Sequence, residues 1–91
     1  VAAPRIEVIE TASERSTVLE VRAHDAPGLL YRITRAIAST DAAITGARVQ
    51  TLGSDAVDVF FLVDRHGKAL SDQHAAAVKV TVLGELLQPL P

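Results

Sequence analysis

Asp25-Ala26-Pro27-Gly28-Leu29-Leu30 joins a strand pattern to a helix pattern through a turn almost free of side-chain bulk. Upstream, Thr17 to His24 alternates, with Leu19, Val21 and Ala23 facing one way and Glu20, Arg22 and His24 the other, the period of a half-buried strand. Downstream, Leu30, Ile33 and Ile37 recur at helical spacing, supported by Leu29 and Ala36, while Arg32, Arg35 and Ser39 fall on the opposite side. That amphipathic helix is expected to end near Thr40, with Asp41 taking the left-handed conformation needed for the chain to turn back. Within the turn, Pro27 presets its own φ and Gly28 removes the side chain next to the helix start. The first amides of a helix lack intrahelical acceptors, and carboxylates collect at them. Asp25 then has two readings: it caps the helix, or it holds the ammonium group of an amino acid whose carboxylate meets those amides.

Working outward, Arg5 to Glu10 shows a short alternation, with Ile6 and Val8 on one side, and reads as a strand. Thr11 to Ser16 is polar and turn-like, so this first strand and Thr17 to His24 suit a hairpin. Ala43 to Leu52 alternates again, Gly53-Ser54-Asp55 turns the chain, and Ala56 to Asp64 follows as its hairpin partner. Val57, Val59, Phe61 and Val63 make an unbroken apolar row in that partner. Ser71 is the expected N-cap of a second helix from about Asp72 to Leu87, with Val78, Val82 and Leu86 as its buried stripe and Pro89 ending it. The order strand, strand, helix, strand, strand, helix fits one antiparallel sheet with both helices on one face. No strand pattern follows the second helix, so the leading strand is expected at the edge beside the second, in the spatial order first, second, fourth, third.

The helices are expected to cover Ile6, Val8, Leu19, Val21, Ala47, Val49, Val59 and Phe61. Glu20, Arg22, Arg48, Gln50, Asp58, Phe60 and Leu62 would then lie on the open face. Phe60 and Leu62 in that position are either apolar residues left on a central strand or a docking surface for another domain or a second copy.

Composition narrows the function classes. Ninety-one residues, 48% hydrophobic, make one small domain. Nine Lys and Arg against eleven Asp and Glu give a net charge of −2. The basic residues form no run and only three aromatics are present, which leaves no footprint for nucleic acid. The apolar stretches are far shorter than the roughly 20 residues of a membrane span. Cysteine is absent, so there is no disulfide framework and no thiolate metal site, a composition compatible with the cytosol. His24, His66 and His74 stand apart without ligand spacing and read as surface or loop residues. Asp55 and Asp58 read as turn and strand decoration, and no catalytic motif is found. The start at Val1-Ala2-Ala3-Pro4 and the end at Leu90-Pro91 read as those of a fragment.

Three strings, Val18 to Leu30, Ala47 to Gly53 and Ala56 to Asp64, together resemble the ACT domain, a ligand-binding regulatory module of amino-acid metabolism. The resemblance runs from Thr17 to about Leu87. Val57-Asp58-Val59-Phe60 followed by Asp64-Arg65-His66-Gly67-Lys68 is more specifically similar to the C-terminal ACT domain of the bifunctional protein-PII uridylyltransferase/uridylyl-removing enzymes. The resemblance implies an α+β, ferredoxin-like fold, with residues 1–16 as a leading edge strand and linker and residues 17–91 as the ACT domain. It implies glutamine as effector and Asp25, Ala26, Pro27, Gly28, Leu29 and Leu30 as ligand-loop residues. It also implies a cytoplasmic, magnesium-dependent parent enzyme. There, a nucleotidyltransferase domain modifies the PII protein, an HD domain reverses this, and a tandem or dimeric ACT partner completes the ligand site. This chain itself would be regulatory, with no cofactor and no catalytic residue. The alternatives are an interaction module without a ligand, docking through Phe60 and Leu62, and the ACT domain of another enzyme of amino-acid metabolism.

Overall fold

A computed structural model of the chain describes residues 3–9 and 15–89. The elements are β1 (Arg5–Ile9), β2 (Thr17–His24), α1 (Leu29–Ala38), β3 (Ala43–Leu52), β4 (Asp55–Val63) and α2 (Asp72–Leu87). The four strands form one sheet in the order β1-β2-β4-β3, every neighbouring pair antiparallel. This is the arrangement expected from the missing last strand: β1 pairs with β2 and occupies the edge position. Glu10 and the expected turn residues Thr11 to Glu14 lie outside the described residues.

Both helices lie on one face, and the core forms between them and the sheet. Ile33 and Ile37 of α1 and Val78 and Val82 of α2 are fully buried there, with Leu19 and Val21 of β2. Each helix end has an identifiable cause. Ser71, in extended conformation, accepts a hydrogen bond from the His74 amide (3.1 Å) and starts α2. Asp41 takes φ 63° after α1, as its place in the sequence predicts.

The sheet face reading needs one correction. Phe60 and Leu62 are 0% exposed and belong to the core, with Asp58 and Ala56 on the same side of β4. Val57, Val59, Phe61 and Val63 therefore lie on the open face, where they are half-buried. The cause is that β4 is apolar on both faces, so alternation defines two rows without saying which row meets the helices. Register decides it: Leu19 stands opposite Phe60, and Val21 opposite Asp58. Burying Phe60 and Leu62 removes more apolar area from water than burying Val57 and Val59 would. On the edge strand, Ala47 and Val49 do share the helix side through their pairing with Phe60 and Asp58, but Val49 stays 59% exposed because the helices do not reach that far. A bulge between Ile44 and Gly46 shifts the register there.

Candidate functional site

The turn from β2 into α1 is built almost wholly from backbone. The Asp25 amide donates to the Ser54 carbonyl (2.8 Å), tying the turn to the β3–β4 hairpin. The Leu29 amide donates to Ala26 O (3.1 Å) and the Arg32 amide to Gly28 O (3.0 Å). Gly28 occupies the N-cap position with φ 78°, and no side chain caps the helix. Of the two readings of Asp25, the cap is therefore not formed. The amides of Leu30 and Tyr31 make no bond back to the turn, and the first turn of α1 carries no acidic residue. They form an exposed donor pair at the positive end of a ten-residue helix.

The six loop residues do not share one role. Asp25, Pro27 and Gly28 are exposed, Ala26 is half-buried, Leu30 is 44% exposed and Leu29 is a core residue. Leu29 anchors the helix start from below, while the other five form the rim. No atom stands within 4 Å of the place a Gly28 Cβ would take. Glycine is required at this position by its left-handed φ, not by lack of space.

On β4 lies a residue that the sequence reading put on the wrong face. Asp58 is 2% exposed on the core side of β4, and its Oδ1 is buried with no hydrogen-bond partner. Burial pushes its carboxyl above the usual range and the nearby negative charge of Asp25 adds to this, while the Gln50 backbone amide opposes it. The signal that could have found Asp58 is its phase: it sits in one row with Phe60 and Leu62, the largest side chains of the strand.

Arg32 and His74 were read as surface residues, and each ties the two helices together. Arg32 spans from α1 to the last turn of α2: its Nε donates to Glu85 Oε2 (3.2 Å), and its Nη2 donates to the carbonyls of Glu85 (2.6 Å) and Gln88 (3.1 Å). His74 Nε2 lies 2.6 Å from the Thr40 carbonyl, which can only accept, so Nε2 carries the proton. At the opposite end, Asp64 Oδ1 accepts from the amides of His66 and Lys68. These bonds, that of Lys68 foremost, hold its carboxyl below the usual range.

Three surface hollows lie away from the turn. One of about 420 Å³ runs between the ends of β1 and β2 and the start of α2, one of about 630 Å³ between the outer sides of α1 and α2, and one of about 200 Å³ over Arg5, Arg22 and His24. None of the three is lined by a residue of the turn. Among the described residues, no group of three or more His, Asp or Glu side chains comes together as a possible metal site. Among the described residues, no helix is long and apolar enough to cross a membrane.

A family model described as the ACT domain matches residues 17–72. A bifunctional uridylyltransferase/uridylyl-removing enzyme of Streptomyces coelicolor is 45% identical over 75 residues, 82% of this chain and 9% of that protein. Proteins of the same name from Gluconobacter oxydans and Azospirillum brasilense are 40% and 37% identical over 91% and 94% of the chain. The chain spans 9% of the length of each of these relatives. Among solved structures, a protein of unknown function from Galdieria sulphuraria superposes with a TM-score of 0.58 at 18% identity. That match covers 74% of this chain and 38% of the other, and it is a likeness of fold.

Proposed function

Since the chain belongs to the ACT domain family, we propose that it is the amino-acid-sensing, regulatory part of a uridylyltransferase/uridylyl-removing enzyme, with glutamine as its effector. One observation carries the ligand part of this reading. The start of α1 has no side-chain cap and leaves the Leu30 and Tyr31 amides open in the turn that carries Asp25, whose charge acts on the buried Asp58. An α-carboxylate suits the amides and an α-ammonium suits the carboxylates, so the two ends of an amino acid match the two halves of the turn. The turn is shallow, and a second ACT domain, in tandem or in a dimer, would close the site over the ligand.

Regulation then works by differential affinity: glutamine acts only if it binds one state of the whole enzyme more tightly than another. Transfer of uridylyl groups to the PII protein, their removal and the use of magnesium belong, on this reading, to parts of the protein outside this chain. The names of the relatives support the parent enzyme, and the open donor pair supports the amino-acid ligand. Titration calorimetry with glutamine, glutamate and the other amino acids, on a form carrying both expected ACT domains, tests it. Glutamine binding that is lost on Asp25→Ala is the expected result; no glutamine binding at all would refute the effector.

A further inference from the structure

One corner of the sheet is left open where β1 begins. The β1–β2 ladder stops at the pair Arg5 and Arg22, while β2 runs on to His24, which pairs with Asp55 of β4. Pro4, just before β1, has no amide hydrogen with which to extend the ladder. A notch of about 200 Å³ remains there, walled by Arg5, Arg22, His24 and Asp55. All four side chains belong to the open face, since the alternate residues Ile6, Val21, Ala23 and Ala56 are in the core.

Two cations share this notch without a counter-charge in contact. Arg5 and Arg22 stand directly opposite each other, and like charges so placed destabilise a sheet. Neither guanidinium forms an ion pair with a described residue. Arg22 Nε is buried with no hydrogen-bond acceptor, a donor withdrawn from water at a cost. The acid in the wall, Asp55, lies on β4, two residues along from Val57, the residue paired with Arg22, and does not bridge the two arginines.

We propose that this notch is an anion site that takes a phosphate group, either free or carried by a small phosphate ester. Paired strands lie ~4.8 Å apart, so two opposed arginines can converge on one group. Each guanidinium fork matches two oxygens of an oxyanion. A carboxylate offers two oxygens and one charge, which a single fork uses up. A phosphate group offers three oxygens and about two charges, enough for both forks. An oxyanion seated there draws the Arg22 guanidinium onto it and supplies the acceptor that Nε lacks, while the His24 ring can donate from a nitrogen. The site is separate from the glycine turn, none of whose residues lines it.

Nuclear magnetic resonance titration of the isotope-labelled chain with inorganic phosphate, glycerol phosphate and acetate tests the proposal. Phosphate is expected to shift the amide signals of Arg5, Arg22, His24 and Asp55 together and saturably, with acetate binding about tenfold more weakly. Arg22→Gln, checked for folding by circular dichroism, should weaken phosphate binding about tenfold or more. Arg22→Lys, which keeps the charge without the fork, should weaken it too. If Arg22→Gln fails to fold, Arg5→Gln at the exposed start of β1 takes its place, with the same loss expected. Either relative affinity of the two phosphate compounds upholds the site: tighter binding of glycerol phosphate marks an ester as the ligand, and equal or weaker binding marks free phosphate. No saturable shift at about 10 mM phosphate overturns the proposal. So does acetate binding as tightly as phosphate, or phosphate binding that is unchanged in the folded arginine variant.

Discussion

The two helices of this domain begin in opposite ways. α2 starts on Ser71, whose hydroxyl takes up the His74 amide, has Asp72 in its first turn and has its far end closed by Arg32 from α1. α1 starts on Gly28, with no side-chain cap, no acid in its first turn and two amides left open. Each helix leaves two first-turn amides without a partner, Asp72 and Gln73 in α2 and Leu30 and Tyr31 in α1, but only α2 has a side-chain cap, an acidic residue in its first turn and an arginine closing its far end. The contrast separates what holds the fold from what is available for binding, and substitutions at the two helices should therefore act on different properties.

The largest stability loss is expected at the closed end. Arg32→Ala removes three hydrogen bonds, two of them to terminal carbonyls of α2, and should cost about 1.5–3 kcal/mol in chemical denaturation. Glutamine affinity should stay near that of the wild type. Next comes Gly28→Val, which puts a β-branched residue at φ 78° and should cost about 1–2 kcal/mol, with ligand binding lost because the turn is displaced. Unchanged binding in that variant would break the contrast, since the turn would then not be the site. Ser71→Ala should cost about 1 kcal/mol, again without effect on the ligand.

The pH-dependent effects at Asp58 and Asp64 are smaller and opposite in sign. The Asp58 carboxyl is raised in the fold, so its contribution is fully present below the ordinary value of 3.8 and is lost as pH rises through the raised value. Asp58→Asn should accordingly melt higher than the wild type at pH 7, the difference shrinking as pH falls toward 3.8, while the affinity for an ammonium-bearing ligand drops. The Asp64 carboxyl is lowered, so its contribution is present above 3.8 and is lost as pH falls through the lowered value. Asp64→Asn should remove that acid dependence from the melting curve and leave binding alone.

Much of this was legible before any coordinates. Alternation in Thr17 to His24 and Ala43 to Leu52 marked the strands. Ser71 and Pro89 bounded α2 at Asp72–Leu87, and the missing strand after it placed β1 at the edge beside β2. These readings succeeded because they rest on local chemistry: capping, φ preference and the two periods of hydrophobicity. Of the candidate site, the turn and its glycine were legible for the same reason. Asp58 was not, nor was the cross-helix role of Arg32. Their partners lie far away in sequence, and no local pattern says that the Arg32 guanidinium reaches the last carbonyls of α2.

By itself, then, the sequence determined the elements, their order and the glycine turn, because each follows from the conformational preferences of neighbouring residues; that the turn is uncapped was settled only by the structure. Tertiary structure alone decided which side of β4 faces the helices. With apolar residues in both rows, that choice is settled only when Phe60 and Leu62 pack against α1, α2 and β2. The same choice buries Asp58 and leaves Val57, Val59 and Phe61 on the open face. Burial is a property of the assembled layers, and a single strand carries no record of which layer it will meet.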